Sequence, residues 1–258
     1  MKRLLIGAIL ACSFTLPALA DESLKAAIAG THRSADNVAR DAARHPYETL
    51  SFFGIKPNMT VVELSPGGGW YTEILAPYLR NQGVFIAAGG DPQSTSEYAR
   101  KGAERFRQKL DATPAVFNKV QVGVFEPGNK YSFAAPNSVD LVVTFRNVHN
   151  WAPAGDAQVV TAFKAVYDSL KPGGVFGVVD HRLPENKPAN LKSGYVHESY
   201  VIGLAQKAGF ILAEKSEINA NPKDTADHKS GVWALPPVLA NKDEDRAKYV
   251  AIGESDRM

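Results

Sequence analysis

The sequence predicts an α/β protein with a doubly wound, mostly parallel sheet, helices on both faces and an N-terminal helical extension. Three observations lead to this prediction. From Thr60 onward, short runs rich in β-branched residues alternate with stretches of helical periodicity. The first run leads into a glycine-rich turn at residues 66–69. Residues 21–54 have helical patterning only. Such alternation is typical of a parallel sheet covered on both faces.

Each element follows from a local pattern. Residues 60–65 (TVVELS), 84–88 (VFIAA) and 140–145 (DLVVTF) are short apolar runs of strand length, and 120–125 is predicted as the third strand. Residues 70–79, about 93–110, 156–170 and 196–208 have helical spacing. The turn Lys171-Pro172-Gly173-Gly174 ends one helix before a fifth strand at 175–181, and a further strand is predicted at 211–218. We therefore divide the chain into a signal peptide at 1–20, the extension at 21–59 and one α/β domain at 60–258.

Composition bounds the kind of protein. The chain has 258 residues, of which 45% are hydrophobic and 22% charged, which is enough to bury a full core. Lys and Arg number 29 against 27 Asp and Glu, a net charge of +2. This balance excludes an acidic tail, a polybasic nucleic-acid binder and a disordered chain.

The first twenty residues have the pattern of a secretory signal. Lys2 and Arg3 precede an apolar run, Pro17 breaks it, and Ala18-Leu19-Ala20 forms a small-x-small cleavage site. The apolar run is too short for a transmembrane anchor. A lipoprotein signal at Cys12 is a second alternative, disfavoured because the bulky Leu10 stands close before it. We expect a periplasmic or secreted protein cleaved after Ala20.

Cleavage would change the charge and cysteine counts. It removes Lys2, Arg3 and Cys12, leaving 27 basic and 27 acidic residues and no cysteine. Disulfides, a thiolate nucleophile and cysteine-based metal sites are then excluded. A neutral chain also argues against nucleic acid or an anionic membrane as partners.

The glycine-rich turn is the first candidate binding site, because ligands of such sheets bind beyond the carboxyl ends of the strands. Glycines let a ligand approach the backbone, and the next helix offers free N–H groups. A plain tight turn is the alternative. A nicotinamide dinucleotide fingerprint needs a third glycine where Thr72 stands, which argues against an oxidoreductase.

Asp91 follows the second strand and is placed to accept hydrogen bonds from ribose hydroxyls. The alternative is an ordinary turn or a helix N-cap, since Pro92 follows directly.

A dense polar cluster follows the fourth strand. Residues 146–151 (RNVHNW) combine a cation, two amides, an imidazole and an indole, and the fifth strand ends in Asp180-His181-Arg182. His149 and His181 could face one pocket, where either could act as a general base. We take His149, His181, Arg146 and Asn147 as the candidate catalytic residues. No familiar metal-ligand spacing is present, so no metal is expected.

Three motifs together resemble class I S-adenosylmethionine-dependent methyltransferases. Residues 61–69 (VVELSPGGG) resemble the first motif of that family, and 140–143 (DLVV) and 170–176 (LKPGGVF) resemble its fourth-strand and fifth-strand motifs. The likeness covers about residues 60–218. Residues 44–48, 69–73 and 146–151 are similar to a group of predicted bacterial methyltransferases that often carry export signals.

This resemblance implies a Rossmann-like fold, S-adenosylmethionine as cofactor and a small-molecule acceptor. The family's cofactor contacts would fall to Glu63, to the loop glycines Gly67, Gly68 and Gly69, and to Asp91. The third-strand position that usually contacts adenine is Val122-Gly123-Val124 here, which leaves that contact unassigned. The family's closing hairpin also lacks a final strand, so either residues 231–235 fill that place or the chain is truncated.

The expected reaction is methyl transfer to an oxygen or nitrogen acceptor, with His149 or His181 as base. The absence of an Asn-Pro-Pro-Tyr loop after the fourth strand disfavours nucleobase amines, and an aromatic lining from Trp70, Tyr71 and Trp151 favours a small organic acceptor. Because the donor is made in the cytoplasm, an exported protein raises an alternative: a non-catalytic periplasmic ligand-binding protein on the same fold.

Overall fold

A computed structural model describes residues 21–258. The predicted signal peptide, including Cys12, lies outside these residues.

Four short helices precede the sheet: α1 (Glu22–Ile28), α2 (Ala35–Val38), α3 (Asp41–Arg44) and α4 (Pro46–Phe52). Asp21 caps α1, since its carboxylate accepts hydrogen bonds from the backbone N–H groups of Ser23 and Leu24. His45 adopts a left-handed conformation with φ of 42° and separates α3 from α4, which then begins at Pro46. Proline suits this first helical position because it lacks an N–H group.

The main sheet has six strands, β1 (Thr60–Leu64), β2 (Val84–Gly89), β3 (Gln121–Glu126), β4 (Lys130–Ser132), β5 (Val139–Phe145) and β6 (Leu170–Val179). Their order is β4-β3-β2-β1-β5-β6, with only β4 antiparallel to its neighbour. The intervening helices include α5 (Thr72–Leu79), α6 (Glu97–Ala112), α7 (Pro114–Phe117), α8 (Val148–Trp151) and α9 (Asp156–Ser169). The predicted fold class is confirmed.

Alternating side chains of the strands build two cores, one on each face of the sheet. Val61 packs with residues of α1, α4 and α5, whereas Val62 packs with residues of α9 and of α10 (Glu198–Lys207). Leu50 of α4 is fully buried in the first core. The N-terminal helices therefore complete one face of the sheet.

The end of the chain differs from the sequence prediction. No strand forms at 211–218: Ile211 is 90% exposed, and residues 211–216 make no backbone hydrogen bond to another described segment. An extended segment without a ladder partner is not a strand. Residues 231–234 form a short 3-10 helix, so they do not supply the missing strand either.

The last residues instead run antiparallel to the segment that follows β6. The N–H groups of Asp180 and Arg182 donate to the carbonyls of Met258 and Asp256, and the N–H of Met258 donates to Asp180. Between these parts lie a two-stranded pair, β7 (Arg182–Leu183) and β8 (Val196–His197), and a last helix, α11 (Arg246–Ile252). The C-terminal segment is thus held at the edge of the sheet where the candidate site residues lie.

None of the helices formed within residues 21–258 combines the length and the apolar character needed to cross a bilayer.

Replacing Leu50 with Ala tests how firmly α4 is joined to the sheet. Because Leu50 is fully buried, we expect the substitution to lower the free energy of unfolding by roughly 2–5 kcal/mol, measured by denaturant titration. Leu212→Ala is the matched control, since Leu212 is 47% exposed, and should change stability by less than about 1 kcal/mol. Equal effects at both positions would show that α4 does not contribute to the core.

Candidate functional site

The loop after β1 has the geometry of a ligand-binding turn. Gly67 and Gly69 have positive φ angles of 58° and 73°, and Ser65 adopts φ of 49° while its N–H donates to the Ala88 carbonyl of β2 at 2.7 Å. A Cβ atom at Gly67 or Gly68 would meet no atom within 4 Å, whereas one at Gly69 would lie 2.8 Å from Cε of Lys109. The left-handed backbone at Gly69 favours glycine, and a side chain there would have to displace the end of Lys109, whereas Gly67 and Gly68 border open space.

Glu63 is buried beneath this loop. Its exposed fraction is 3%, and Thr72 donates a hydrogen bond of 2.6 Å from Oγ1 to Oε2 of Glu63. Burial raises the pKa of Glu63 to about 7, against the opposing effects of this hydrogen bond and of the Lys109 and Arg146 charges. Thr72, the residue that argues against a dinucleotide fingerprint, therefore orients a carboxylate at the candidate binding loop.

Asp91 lies beyond the end of β2 but is fully engaged. Its carboxylate accepts a hydrogen bond of 2.7 Å from Nζ of Lys130 and one of 2.9 Å from the N–H of Gln93. The Lys130 ammonium holds the pKa of Asp91 below its usual range, with help from the Gln93 N–H. These contacts agree with the turn role that the sequence left open, and the ribose contact of Asp91 stays a prediction.

Sequence reasoning missed an acidic residue beside Asp91. Glu126 ends β3, and its carboxylate accepts hydrogen bonds from the N–H of Asp91 at 3.0 Å and from Oγ of Ser94 at 2.6 Å. The strand was expected to end one residue earlier, at Phe125, which placed Glu126 outside it. The following Pro127-Gly128 turn was the available signal for the true end.

Asn147 connects the ends of β5 and β1. Its Nδ2 donates to the carbonyls of Leu64 and Ser65 at 3.2 and 3.4 Å and to Oγ1 of Thr144 at 3.0 Å. These contacts position the loop after β5 against the glycine-rich loop. Asn147 therefore acts on the site through its neighbours.

His149 and His181 lie side by side, as their strand positions predict, with ring centroids 4.9 Å apart. Asp180 is fully buried. Its Oδ1 atom lies 2.7 Å from Nδ1 of His149, and its Oδ2 atom accepts a hydrogen bond of 3.1 Å from the backbone N–H of His149. An ionised carboxylate only accepts, so Nδ1 of His149 carries the proton and Nε2 has a free lone pair. Within residues 21–258, Nε2 of His149 has no hydrogen-bond partner of its own.

His181 has a different environment. Its Nδ1 lies 2.5 Å from Oγ of Ser255 in the C-terminal segment. Burial lowers the pKa of His181 well below its usual value, and the positive charges of Arg146, Arg257 and Arg44 and the neighbouring His149 add to the effect. His181 is therefore neutral near pH 7.

His149, Asp180 and His181 also place ligand atoms within 4.8 Å of one another, the dimensions of a metal site. Both oxygens of Asp180 are already hydrogen-bonded, and nearby arginines make the surroundings positive. Such an environment disfavours a cation. We therefore keep the prediction that no metal is bound.

Arg146 begins the loop after β5 in a left-handed conformation, with φ of 60°. Its guanidinium lies 3.8 Å from Glu254, and Arg40, Arg44 and Arg257 also contact this carboxylate. The contacts of Arg40 and Arg44 with Glu254 join positions more than 200 residues apart, so no local pattern could indicate them.

The expected aromatic lining is wrong. Trp70, Tyr71 and Trp151 are each less than 10% exposed. Tyr71 stacks on Phe145 with a centroid distance of 3.4 Å, and Trp151 packs on Phe125. All three belong to the two cores, so they say nothing about the acceptor.

No protein-family model matches the chain, and no curated protein is detectably similar to it in sequence. Solved structures do match. An S-adenosylmethionine-dependent methyltransferase from Aquifex aeolicus superposes with a TM-score of 0.53 at 18% identity, covering 68% of this chain and 85% of that one. The fold is that of S-adenosylmethionine-dependent methyltransferases.

Two further structures agree. A protein from Galdieria sulphuraria, whose assignment as a sarcosine dimethylglycine methyltransferase is provisional, gives a TM-score of 0.52 at 13% identity. The match covers 86% of this chain and 84% of that one. Human N-acetylserotonin methyltransferase, solved in complex with S-adenosylmethionine, gives a TM-score of 0.52 at 15% identity. The match covers 77% of this chain and 53% of that one. At these identities the likeness concerns the fold.

Glu63→Gln tests the buried carboxylate by its effect on stability. Because the pKa of Glu63 is raised from 4.5 to about 7, the folded state binds more protons than the unfolded state between these values, and the free energy of unfolding falls as pH rises through them. We expect the drop between pH 5 and pH 8 to shrink by about 2 kcal/mol in Glu63→Gln, measured by denaturant titration at both pH values.

Glu214→Gln is the matched control, because Glu214 is exposed, and its pH dependence should equal that of the wild type. An unchanged pH dependence in Glu63→Gln would contradict the burial of a carboxylate under the loop.

Proposed function

We propose that this protein transfers the methyl group of S-adenosylmethionine to an oxygen or nitrogen atom of a small organic acceptor, with His149 as general base. One arrangement supports the proposal: an open glycine-rich loop and an aspartate-oriented histidine lie at the same edge of a methyltransferase-type sheet. Asn147 hydrogen-bonds the loop after β5 to the loop after β1 and so fixes the two parts relative to each other.

The residues of the first loop fit the cofactor. Gly67 and Gly68 border open space that any side chain would enter, and the carboxylate of Glu63 lies directly below. In our proposal Glu63, Gly67, Gly68 and Gly69 hold the methionine part, and Asp91 together with Glu126 lies toward the ribose. When bound, S-adenosylmethionine supplies an electrophilic methyl group attached to a positively charged sulfur.

The protein's own part in the chemistry is orientation and proton removal. An acceptor hydroxyl or amine is a poor nucleophile while it keeps its proton. Nε2 of His149 has the lone pair that takes this proton, while Asp180 fixes the ring and stabilises the imidazolium that forms. The same hydrogen bond that sets the tautomer thus makes His149 a base.

His149 is the better candidate of the two histidines. His181 has a lowered pKa and is therefore a weak base. Its Nδ1 is also engaged by Ser255. In our proposal His181 forms part of the wall beside His149.

Donor binding is tested by calorimetric titration of S-adenosylmethionine into the protein and into Gly68→Leu. The new side chain points into open space and should leave the fold intact while reducing donor affinity at least about tenfold. The control is Gly102→Leu, because a Cβ at Gly102 of α6 also meets nothing within 4 Å. Absence of binding to the wild type at millimolar donor would overturn the proposed function.

The base assignment is tested on whichever acceptor a panel of small alcohols, phenols, acids and amines identifies through formation of S-adenosylhomocysteine. His149→Ala should lower kcat about 100-fold or more with donor affinity unchanged, since proton removal is lost. His181→Ala should lower kcat less than about tenfold. The reverse order of effects would contradict the choice of His149, and donor binding without turnover on any acceptor would favour a ligand-binding protein.

A further inference from the structure

Four arginines surround a single carboxylate beside the candidate site. The arginine cluster consists of Arg40, Arg44, Arg146 and Arg257, whose guanidinium nitrogens lie 2.6, 3.4, 3.8 and 3.2 Å from the carboxylate oxygens of Glu254. Its members come from the N-terminal helices, the end of β5 and the C-terminal segment. The tertiary fold has brought them together.

The cluster has more positive than negative charge. Among residues 21–258, Glu254 is the only carboxylate within 4 Å of these four guanidinium groups. The nearest acidic neighbours in sequence are engaged elsewhere: Asp41 binds Arg33 at 2.7 Å, and Asp256 binds Arg182 at 2.8 Å. Three positive charges therefore remain uncompensated.

Burial makes this excess unfavourable. The side chain of Arg44 is 2% exposed, and its Nη1 atom has no hydrogen-bond partner in the described part of the chain. The face of Trp70 lies 4.6 Å from the Arg44 guanidinium, but an aromatic ring supplies no acceptor oxygen. Burial and the charges of Arg146 and Arg40 both act to lower the pKa of Arg44. Buried positive charge that one carboxylate compensates only in part is strongly unfavourable.

One member of the cluster retains donors that no described residue uses. The Arg146 side chain is 23% exposed, and its closest acidic contact, at 3.8 Å, is longer than a hydrogen bond. Arg146 also lies near His181, whose ring is 4.9 Å from that of His149. The accessible side of the cluster therefore adjoins the candidate base.

We propose that the arginine cluster binds a carboxylate or phosphate group of the methyl acceptor, which makes the acceptor a small organic acid. Guanidinium groups match the paired oxygens of both anions. An entering anion would supply acceptor atoms to the exposed donors of Arg146 and would partly compensate the positive charge of the whole cluster, including that of the buried Arg44. The acidic end would be held at Arg146 while the atom to be methylated lies beside His149. The choice of acceptor rests on the proposed function, whereas anion binding itself does not.

The first test is calorimetric titration with succinate and with inorganic phosphate, using succinamide as the neutral probe. We expect saturable binding of at least one anion and none of succinamide. Arg146→Gln should weaken anion binding about tenfold or more, and Arg107→Gln, which removes an exposed arginine of α6, should leave it unchanged. No saturable anion binding, or equal binding by both variants, would overturn the proposal.

A second variant separates charge from structural damage. Glu254→Gln removes the one carboxylate that competes for the cluster, so it should tighten anion binding several-fold, opposite to Arg146→Gln. Damage to the fold would weaken binding in both variants. Weaker binding in Glu254→Gln, with an unchanged circular dichroism spectrum, would therefore contradict the proposal.

A third titration identifies the source of the anion, because the donor also carries a carboxylate. The affinities of Arg146→Gln for S-adenosylmethionine and for methylthioadenosine, which lacks the amino acid part, are compared with those of the wild type. We expect both to change less than about threefold. A loss of tenfold or more for S-adenosylmethionine alone would assign the cluster to the donor and overturn the acceptor proposal. Because the anion titrations contain no donor, they remain interpretable if the donor fails to bind.

Discussion

The hydrogen bonds of Asp180 determine the geometry of the whole carboxyl edge beside β6. Its side chain accepts from the ring and backbone of His149 and from the N–H of His181, while its backbone pairs with Met258. A carboxylate that is fully buried persists only when its oxygens are satisfied in this way. The loop after β5, the end of β6 and the C-terminal segment therefore share one anchoring group.

The sequence predicts the sheet well because the strands that carry it are locally distinctive. Residues 60–65 and 140–145 combine β-branched side chains with strand length, and β1 and β5 form there as adjacent parallel strands. The two places where the strand prediction fails also have local causes. Residues 211–218 contain apolar side chains but no ladder partner, and the three-residue strand β4 is too short to produce a periodic pattern.

The candidate site also has parts that the sequence predicts and parts that it does not. His149 and His181 follow neighbouring strands, so parallel-sheet geometry is enough to predict that they meet. The arginine cluster depends on contacts between the two ends of the described chain, and single residues such as Arg44 or Glu254 give no sign of this in the sequence. The structural role of Thr72 is hidden in the sequence for a related reason, since its partner Glu63 is reached only across the folded turn.

The contacts of Glu254 have a consequence for the order of folding. Its hydrogen bonds to Arg40 and Arg44 span 214 and 210 positions, whereas neighbouring strands such as β1 and β2 join residues about 24 positions apart. The entropy lost on closing a loop grows with its length, and a chain emerging from the ribosome exposes its residues in order from the N-terminal side. The sheet is therefore free to form during translation, whereas the arginine cluster is completed only after residue 257 has been released.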